Sequence, residues 1–259
     1  MPLLESVGSG SARSFGLTSG LNEYGSVYGL SQITSYGGVS GISAVYTADS
    51  YDPVYNKWYD LSGNKRHATD VQNPANINKG TTYSNQNGVN KSFSTLWANA
   101  NAGIRFPDSL DLNGSYTLFH VARRYGNTTG GNVELRGRIF DGLGDNWLSG
   151  FWNGINGTFH NNWITSSNTD VHVNNWVLST DRYSNYRSTG VDRTLGNPAP
   201  GAVATSTLLT LHAGNYTTPS GTELSTWVCS EVVFYQTELN NTQVAAVEAA
   251  LKTKYGFTY

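Results

Sequence analysis

The sequence predicts an all-β chain, a two-sheet antiparallel sandwich closed by one short C-terminal helix. Three observations carry that expectation. Short runs rich in Val, Thr, Tyr, Phe and Trp follow one another between Gly- and Asn-rich turns, with no alternation of strands and long helices. Charged residues make up 13% of the chain, against a usual share of about 25%, and Gly, Ser, Thr, Asn and Tyr take their place. The stretch from Ser225 to Gly256 reads as one buried strand running into one helix.

That closing stretch is the most legible part. Trp227 to Tyr235 is dense in Val, Phe and Tyr, as suits a strand covered on both faces. Asn240 is placed to cap a helix, with Gln243 at the position that reaches back to it. Val244, Val247 and Leu251 share one helical stripe, Lys252 and Lys254 fall in the last turn, and Gly256 can close it.

Taken from the start, residues 1–40 form a Gly/Ser/Tyr-rich arm, with Tyr-Gly pairs at Tyr24, Tyr28 and Tyr36 and too few apolar residues for a core of its own. An arm of this kind is ordered only where a surface holds it. It is therefore expected to be an assembly element, docked on neighbouring subunits of an oligomer. Residues 41–259 make the sandwich domain. Ser43 to Tyr46 is a short strand, and Lys57 to Asp60 leads into the tight turn Leu61-Ser62-Gly63-Asn64. Residues 73–94, rich in Asn, Gly and Thr, read as coil. Tyr116 to Arg124 is a strand, and short strands follow at Ile139 to Phe140, Trp147 to Trp152, Phe159 to Ile164, Trp176 to Thr180, Tyr186 to Val191 and Ser206 to His212.

Composition removes several function classes. A net charge of −2 offers no electrostatic reason for nucleic acid or an acidic membrane as a partner. Cys229 is the only cysteine, which excludes an internal disulfide and a thiolate zinc site and suits a small apolar side chain on a buried strand. No run approaches the ~20 apolar residues of a membrane-spanning helix. The first residues lack the basic and apolar regions of a secretory signal. A place outside the cell would then be reached by lysis, and the sequons at Asn90, Asn113, Asn127, Asn156, Asn215 and Asn240 are not expected to be glycosylated.

Four pieces resemble, in order, the concanavalin A-like, laminin-G-like jelly rolls. They are Trp58 to Asn64 (a WxDxSGN segment), Tyr116 to Arg124, Trp176 to Gly190, and Glu231 to Gly256, whose Glu-Val-Val-Phe-Tyr strand and Lys-Tyr-Gly helix end are the most specific. The resemblance spans about residues 41–259 and implies two antiparallel sheets face to face, one of them concave. The segment GSGSARSFGLTS resembles Gly-rich leaders in structural proteins of phages and large algal viruses.

Enzymes share this fold, and their residue sets are absent here. No ExDxxE strand provides the two carboxylates of glycoside hydrolysis. His120, Arg123, Arg124 and Tyr125 imitate only part of a lyase set, without its RTExR and QIH motifs. The loop Asp141-Gly142-Leu143-Gly144-Asp145-Asn146 offers hard oxygen ligands for Ca²⁺ at Asp141, Asp145 and Asn146, or else is a polar hairpin loop with Gly at its turns. Trp147, Trp152, Asn153, Asn161, Asn162 and Trp163 are the densest aromatic and amide group. Exposed, they would stack and bond a sugar; enclosed, they would fill the space between sheets.

The combined expectation is a non-enzymatic structural or surface protein of a virus or phage particle. Residues 1–40 would join it to other structural proteins of the particle, and the sandwich would face outward toward host glycans. A free carbohydrate-binding lectin module, and a polysaccharide lyase or hydrolase with an atypical site, are the alternatives.

Overall fold

The computed structural model describes residues 30–83, 85–99, 101–112, 114–124, 137–153, 155–165, 175–196, 207–217 and 223–259. Residues 1–29 of the expected arm, together with Tyr125, lie outside them. In chain order the strands are β1 (Ala44–Thr47), β2 (Tyr51–Asp52), β3 (Lys57–Trp58), β4 (Asp70–Gln72), β5 (Ile77–Thr82), β6 (Phe93–Ala98), β7 (Gly103–Arg105) and β8 (Thr117–Arg124). They continue with β9 (Phe140–Leu143), β10 (Trp147–Ser149), β11 (Thr158–His160), β12 (Val177–Arg182), β13 (Asn185–Ser188), β14 (Val191–Asp192), β15 (Leu208–Leu211) and β16 (Trp227–Tyr235), before helix α1 (Asn241–Tyr255).

Two antiparallel sheets pack face to face. One runs β14-β13-β12-β8-β16-β6-β5, with β1 also paired to β16; the other runs β11-β10-β9-β15-β7-β4. The space between them is filled by side chains that alternate inward, among them Leu118 and Ala122 of β8, Phe140 of β9, Trp147 of β10, Leu209 and Leu211 of β15, and Val232 and Phe234 of β16. The opposite face of the larger sheet carries Phe119, Val121, Leu178, Val233 and Tyr235, which α1 covers with Val244, Val247, Leu251 and Tyr255. Strand β16 is thus buried on both faces along all its residues, and so its sequence is apolar without alternation. The helix is capped as its sequence predicts: the Asn240 side chain accepts from the Gln243 N–H, Gln243 returns the bond, and Gly256 ends the helix at φ 67°.

A one-residue bulge in β16 organises the back of the sandwich. The first half of one β16 edge, Trp227 to Cys229, pairs with β6, and the second half, Glu231 to Phe234, pairs with β1. Between Cys229 and Glu231 the register against β8 slips by one residue. Cys229 faces the other sheet, while Glu231, two positions on, faces α1, the reverse of ordinary alternation. There the fully buried Glu231 carboxylate accepts from the hydroxyls of Tyr36 and Tyr255 and lies 2.8 Å from Lys254 Nζ.

The Trp58 to Asn64 segment clamps β1. Asp60 accepts from the Val45 N–H at 2.9 Å, from the Ser62 N–H and hydroxyl, each at 2.8 Å, and from the Arg66 N–H at 3.0 Å. Asn64 Nδ2 donates to the carbonyls of Ile42 and Ser43. The Trp58 indole donates to Thr47 O at 2.7 Å while its ring packs on Tyr46 and Phe106.

Two boundaries differ from the expectation. Residues 30–40, expected to be part of the assembly arm, pack on the sandwich of their own chain. Ile33 N–H bonds Leu61 O, Tyr36 and Val39 close a small turn on each other, and Tyr235 donates to Val39 O. Gly37, at φ 55°, lies so close to α1 that a Cβ there would come within 2.3 Å of Ala246 O. Tyr36 and Val39 are buried against the helix side. The segment read as coil, 73–94, contains β5 and the start of β6. β5 is an edge strand of the sequence INKGTT, half exposed along its length, so it needs no apolar alternation to hold its place against β6.

Candidate functional site

The smaller sheet ends at β11, and side chains on its outer face follow the register Phe159–Leu148–Asp141–Thr210. Alternation decides the fate of the tryptophans. Trp147 and Ser149 face inward and Leu148 outward; likewise Thr158 and His160 face inward and Phe159 outward. After β11 the chain turns at Asn161, where φ is 49°, and folds back so that Trp163 bridges Phe159. Before β11, Trp152 and Ile155 bridge each other around Asn153, whose φ is 45°. The Asn residues are turn formers here because their short amides tolerate the left-handed region.

These turns bring Trp152, Phe159 and Trp163, all half-buried, into one aromatic patch. Trp163 lies 5.3 Å from Trp152 and 5.3 Å from Phe159, edge to face with both. Asn153 and Asn162 are exposed beside it and Asn161 is half-buried. Trp147 is a correction: it is fully buried, stacks on the His160 ring, and donates its indole N–H to Tyr116 Oη at 3.0 Å. It fills the core and offers no face to a ligand.

A polar network that the sequence did not reveal supports the patch. Arg138, 3% exposed, is its hub. Its Nε donates to Glu223, its Nη1 lies 3.1 Å from both Asp141 Oδ1 and Trp147 O, and its Nη2 is 2.8 Å from Asn146 Oδ1. The Tyr216 ring covers the guanidinium at 4.2 Å. Glu223 Oε2 also accepts the indole N–H of Trp152 at 3.1 Å, which ties the aromatic patch to the hub. Arg138 and Glu223 stand 85 positions apart, so no local motif links them.

The same hub answers the cation expectation at Asp141, Asp145 and Asn146. Asp141 is fully buried, and both its oxygens are occupied: Oδ1 by Arg138, Oδ2 by the Tyr216 N–H at 3.0 Å and the Thr217 hydroxyl at 3.2 Å. Burial lifts its carboxyl to about 6, although all three donors favour the charged form. Asp145 Oδ1 accepts from the Asn146 N–H. A guanidinium lies where Ca²⁺ would have to bind, so these residues do not fit that ion. Among the described residues no group of three His, Cys, Asp or Glu side chains could hold a metal.

His120, His160 and His212 belong to the interior. His120, 1% exposed, stacks on Phe140 at 4.0 Å, contacts Ser149 Oγ at 3.2 Å, and is lowered by burial to about 3. Arg123, next but two along β8, sits over Trp176 on the helix side, so the two do not converge in a groove. His160 meets Asp181, Tyr116 and the Tyr183 carbonyl, and its ring, like the Asp181 carboxylate, is fully buried between the sheets.

No family model matches the chain, and no curated protein matches it in sequence. Solved structures do match in shape. Domain 4 of AbnA, an extracellular arabinanase of Geobacillus stearothermophilus solved in complex with arabinotriose, superposes with a TM-score of 0.51 at 15% identity, over 81% of this chain and 98% of that one. A Trypanosoma rangeli sialidase mutant gives 0.54 at 11% identity, and the binding domain of Paraclostridial Mosquitocidal Protein 1 gives 0.51 at 11%. The chain covers 86% and 81% of itself in these two matches but only 35% and 51% of the partners' lengths. What they share with it is the β-sandwich fold.

Proposed function

We propose that this chain is a non-enzymatic carbohydrate-binding sandwich whose ligand rests on the patch of Trp152, Trp163 and Phe159, with Asn153, Asn161 and Asn162 at its rim. The observation that carries the reading is the half-buried Trp152–Trp163 pair, fixed from below by Glu223 and Arg138. Indole faces stack on the C–H faces of sugar rings, and amides and carboxylates bond their hydroxyls. The neighbour solved with arabinotriose supports it as an analogy of fold. A non-catalytic role is favoured by the enclosure of His120, His160 and Asp181, which keeps these acid–base groups away from the patch. Glycan-array binding followed by calorimetry tests the reading: Trp152→Ala and Trp163→Ala are each expected to abolish measurable binding while the fold is kept. Retained affinity in both variants would refute it.

A second reading places the sandwich on a virus or phage particle, displayed toward host glycans and docked by its leader. The Gly/Ser/Tyr-rich composition of the leader favours it. Since residues 30–40 pack on the sandwich, the docking segment reduces to residues 1–29. A chain lacking them that still enters its native assembly would overturn this reading and leave the carbohydrate site standing. No helix among the described residues is long and apolar enough to cross a membrane.

A further inference from the structure

The bonds of Glu223 and Arg138 leave an uneven charge at the patch. Glu223 Oε2 is taken by Arg138 Nε and by Trp152 Nε1. Among the described residues nothing donates to its Oε1, and the side chain is 29% exposed, so one carboxylate oxygen is presented to solvent beside the Trp152 ring. The cation of the cluster is withdrawn. Arg138 bonds Glu223, Asp141, Asn146 and a backbone carbonyl, lies under Tyr216, and is 4% exposed at its side chain. Among the described residues, a ligand at Trp152 therefore meets a negative acceptor and neutral amides, with the Arg138 charge sealed behind them.

We propose that the patch selects neutral saccharides and rejects acidic ones, with Glu223 Oε1 accepting hydroxyl protons from the sugar stacked on Trp152. This rests on the carbohydrate reading of the same patch. A carboxylate accepts hydroxyl hydrogen bonds with roughly twice the strength of a neutral acceptor. A sialic acid, uronic acid or sulfate group would set like charges close together in a partly desolvated site, where Arg138 is already committed to Glu223, Asp141 and Asn146. Rejection, not only attraction, then sets specificity.

The test is a printed array of neutral, sialylated, uronate-containing and sulfated oligosaccharides probed with the full chain at pH 7, beside Glu223→Gln and Trp152→Ala. The wild-type chain is expected to bind neutral members and to bind their acidic counterparts roughly tenfold more weakly or worse. That gap should narrow as salt is raised, because exposed charges are screened. Glu223→Gln should bring acidic and neutral binding toward parity, and Trp152→Ala should lose both. Acidic glycans bound as well as neutral ones by the wild-type chain would overturn the selectivity while leaving the sugar site intact. No binding to any member would overturn both. Should Glu223→Gln lose its fold, the salt dependence of the wild-type ratio decides alone: a ratio unmoved by salt refutes a charge filter.

Discussion

Tyr36 donates its hydroxyl to Glu231 across 195 positions of sequence, tying the first described segment to the central strand β16. Tyr255 and Lys254 of α1 meet the same carboxylate. The buried carboxylate is thus shared by three elements of the fold. Tyr36→Phe removes one donor from a buried carboxylate and is expected to destabilise the chain by about 1–3 kcal/mol in urea unfolding. A change near zero would mean that residues 30–40 contribute little to the fold.

Asp60 should matter as much, for a different reason. It gathers three backbone N–H groups and a hydroxyl from β1 and the turn. Asp60→Ala leaves these donors buried without partners and is expected to cost about 3 kcal/mol or more. Asp60→Asn, which keeps an acceptor, should cost less than half of that in the same unfolding experiment.

The two kinds of tryptophan separate cleanly by mutation. Trp147→Ala opens a cavity in the core and should destabilise by about 3–5 kcal/mol. Trp163→Ala, at the surface, should change stability by less than half as much and remove glycan binding. If Trp147→Ala instead spares stability, the inward assignment of β10 is wrong.

Acid should unfold the chain in a predictable window. Burial lowers His120 to about 3 and His212 to about 4, both from 6.5. The unfolded chain takes up protons that the folded one refuses, so this stability is complete above about 6.5 and is lost as pH falls toward 4. Asp141 acts in the opposite direction. Its carboxyl is lifted from 3.8 to about 6, so between those values the folded chain holds a proton that the unfolded chain has released, and its contribution grows as pH falls. From pH 6 to pH 4 the net slope should be near that of one proton, about 1.4 kcal/mol per pH unit. Asp141→Asn should steepen it, as followed by denaturant midpoints; an unchanged slope would show that Asp141 stays ionised in the fold.

Chelation offers a simple check on the Asp141–Asn146 loop. With the Arg138 guanidinium bonded to both Asp141 and Asn146, EDTA is expected to leave Tm unmoved. A fall in Tm that calcium restores would place an ion there after all.

Local chemistry made much of the fold legible. The Asn240–Gln243 box, the Gly256 stop and the unbroken apolar run of β16 each follow from neighbours in sequence, and each is found in place. β5 was hidden because an edge strand needs backbone pairing more than apolar side chains. The inward turn of Trp147 depends on the phase of a three-residue strand, too short to fix its own alternation. At the candidate site, aromatic and amide density marked Trp152, Asn161, Asn162 and Trp163. Arg138, Tyr216 and Glu223 were invisible because only the fold brings these distant positions together.

The placement of Leu30 carries a geometric consequence. The described chain begins behind the larger sheet, beside α1, whereas Trp152 and Trp163 lie beyond the smaller one. Sheets in a sandwich stand about 10 Å apart, so the two ends of this arrangement are separated by the full depth of the molecule. Leu30 and the half-buried indoles therefore stand on opposite faces of the sandwich, turned away from each other.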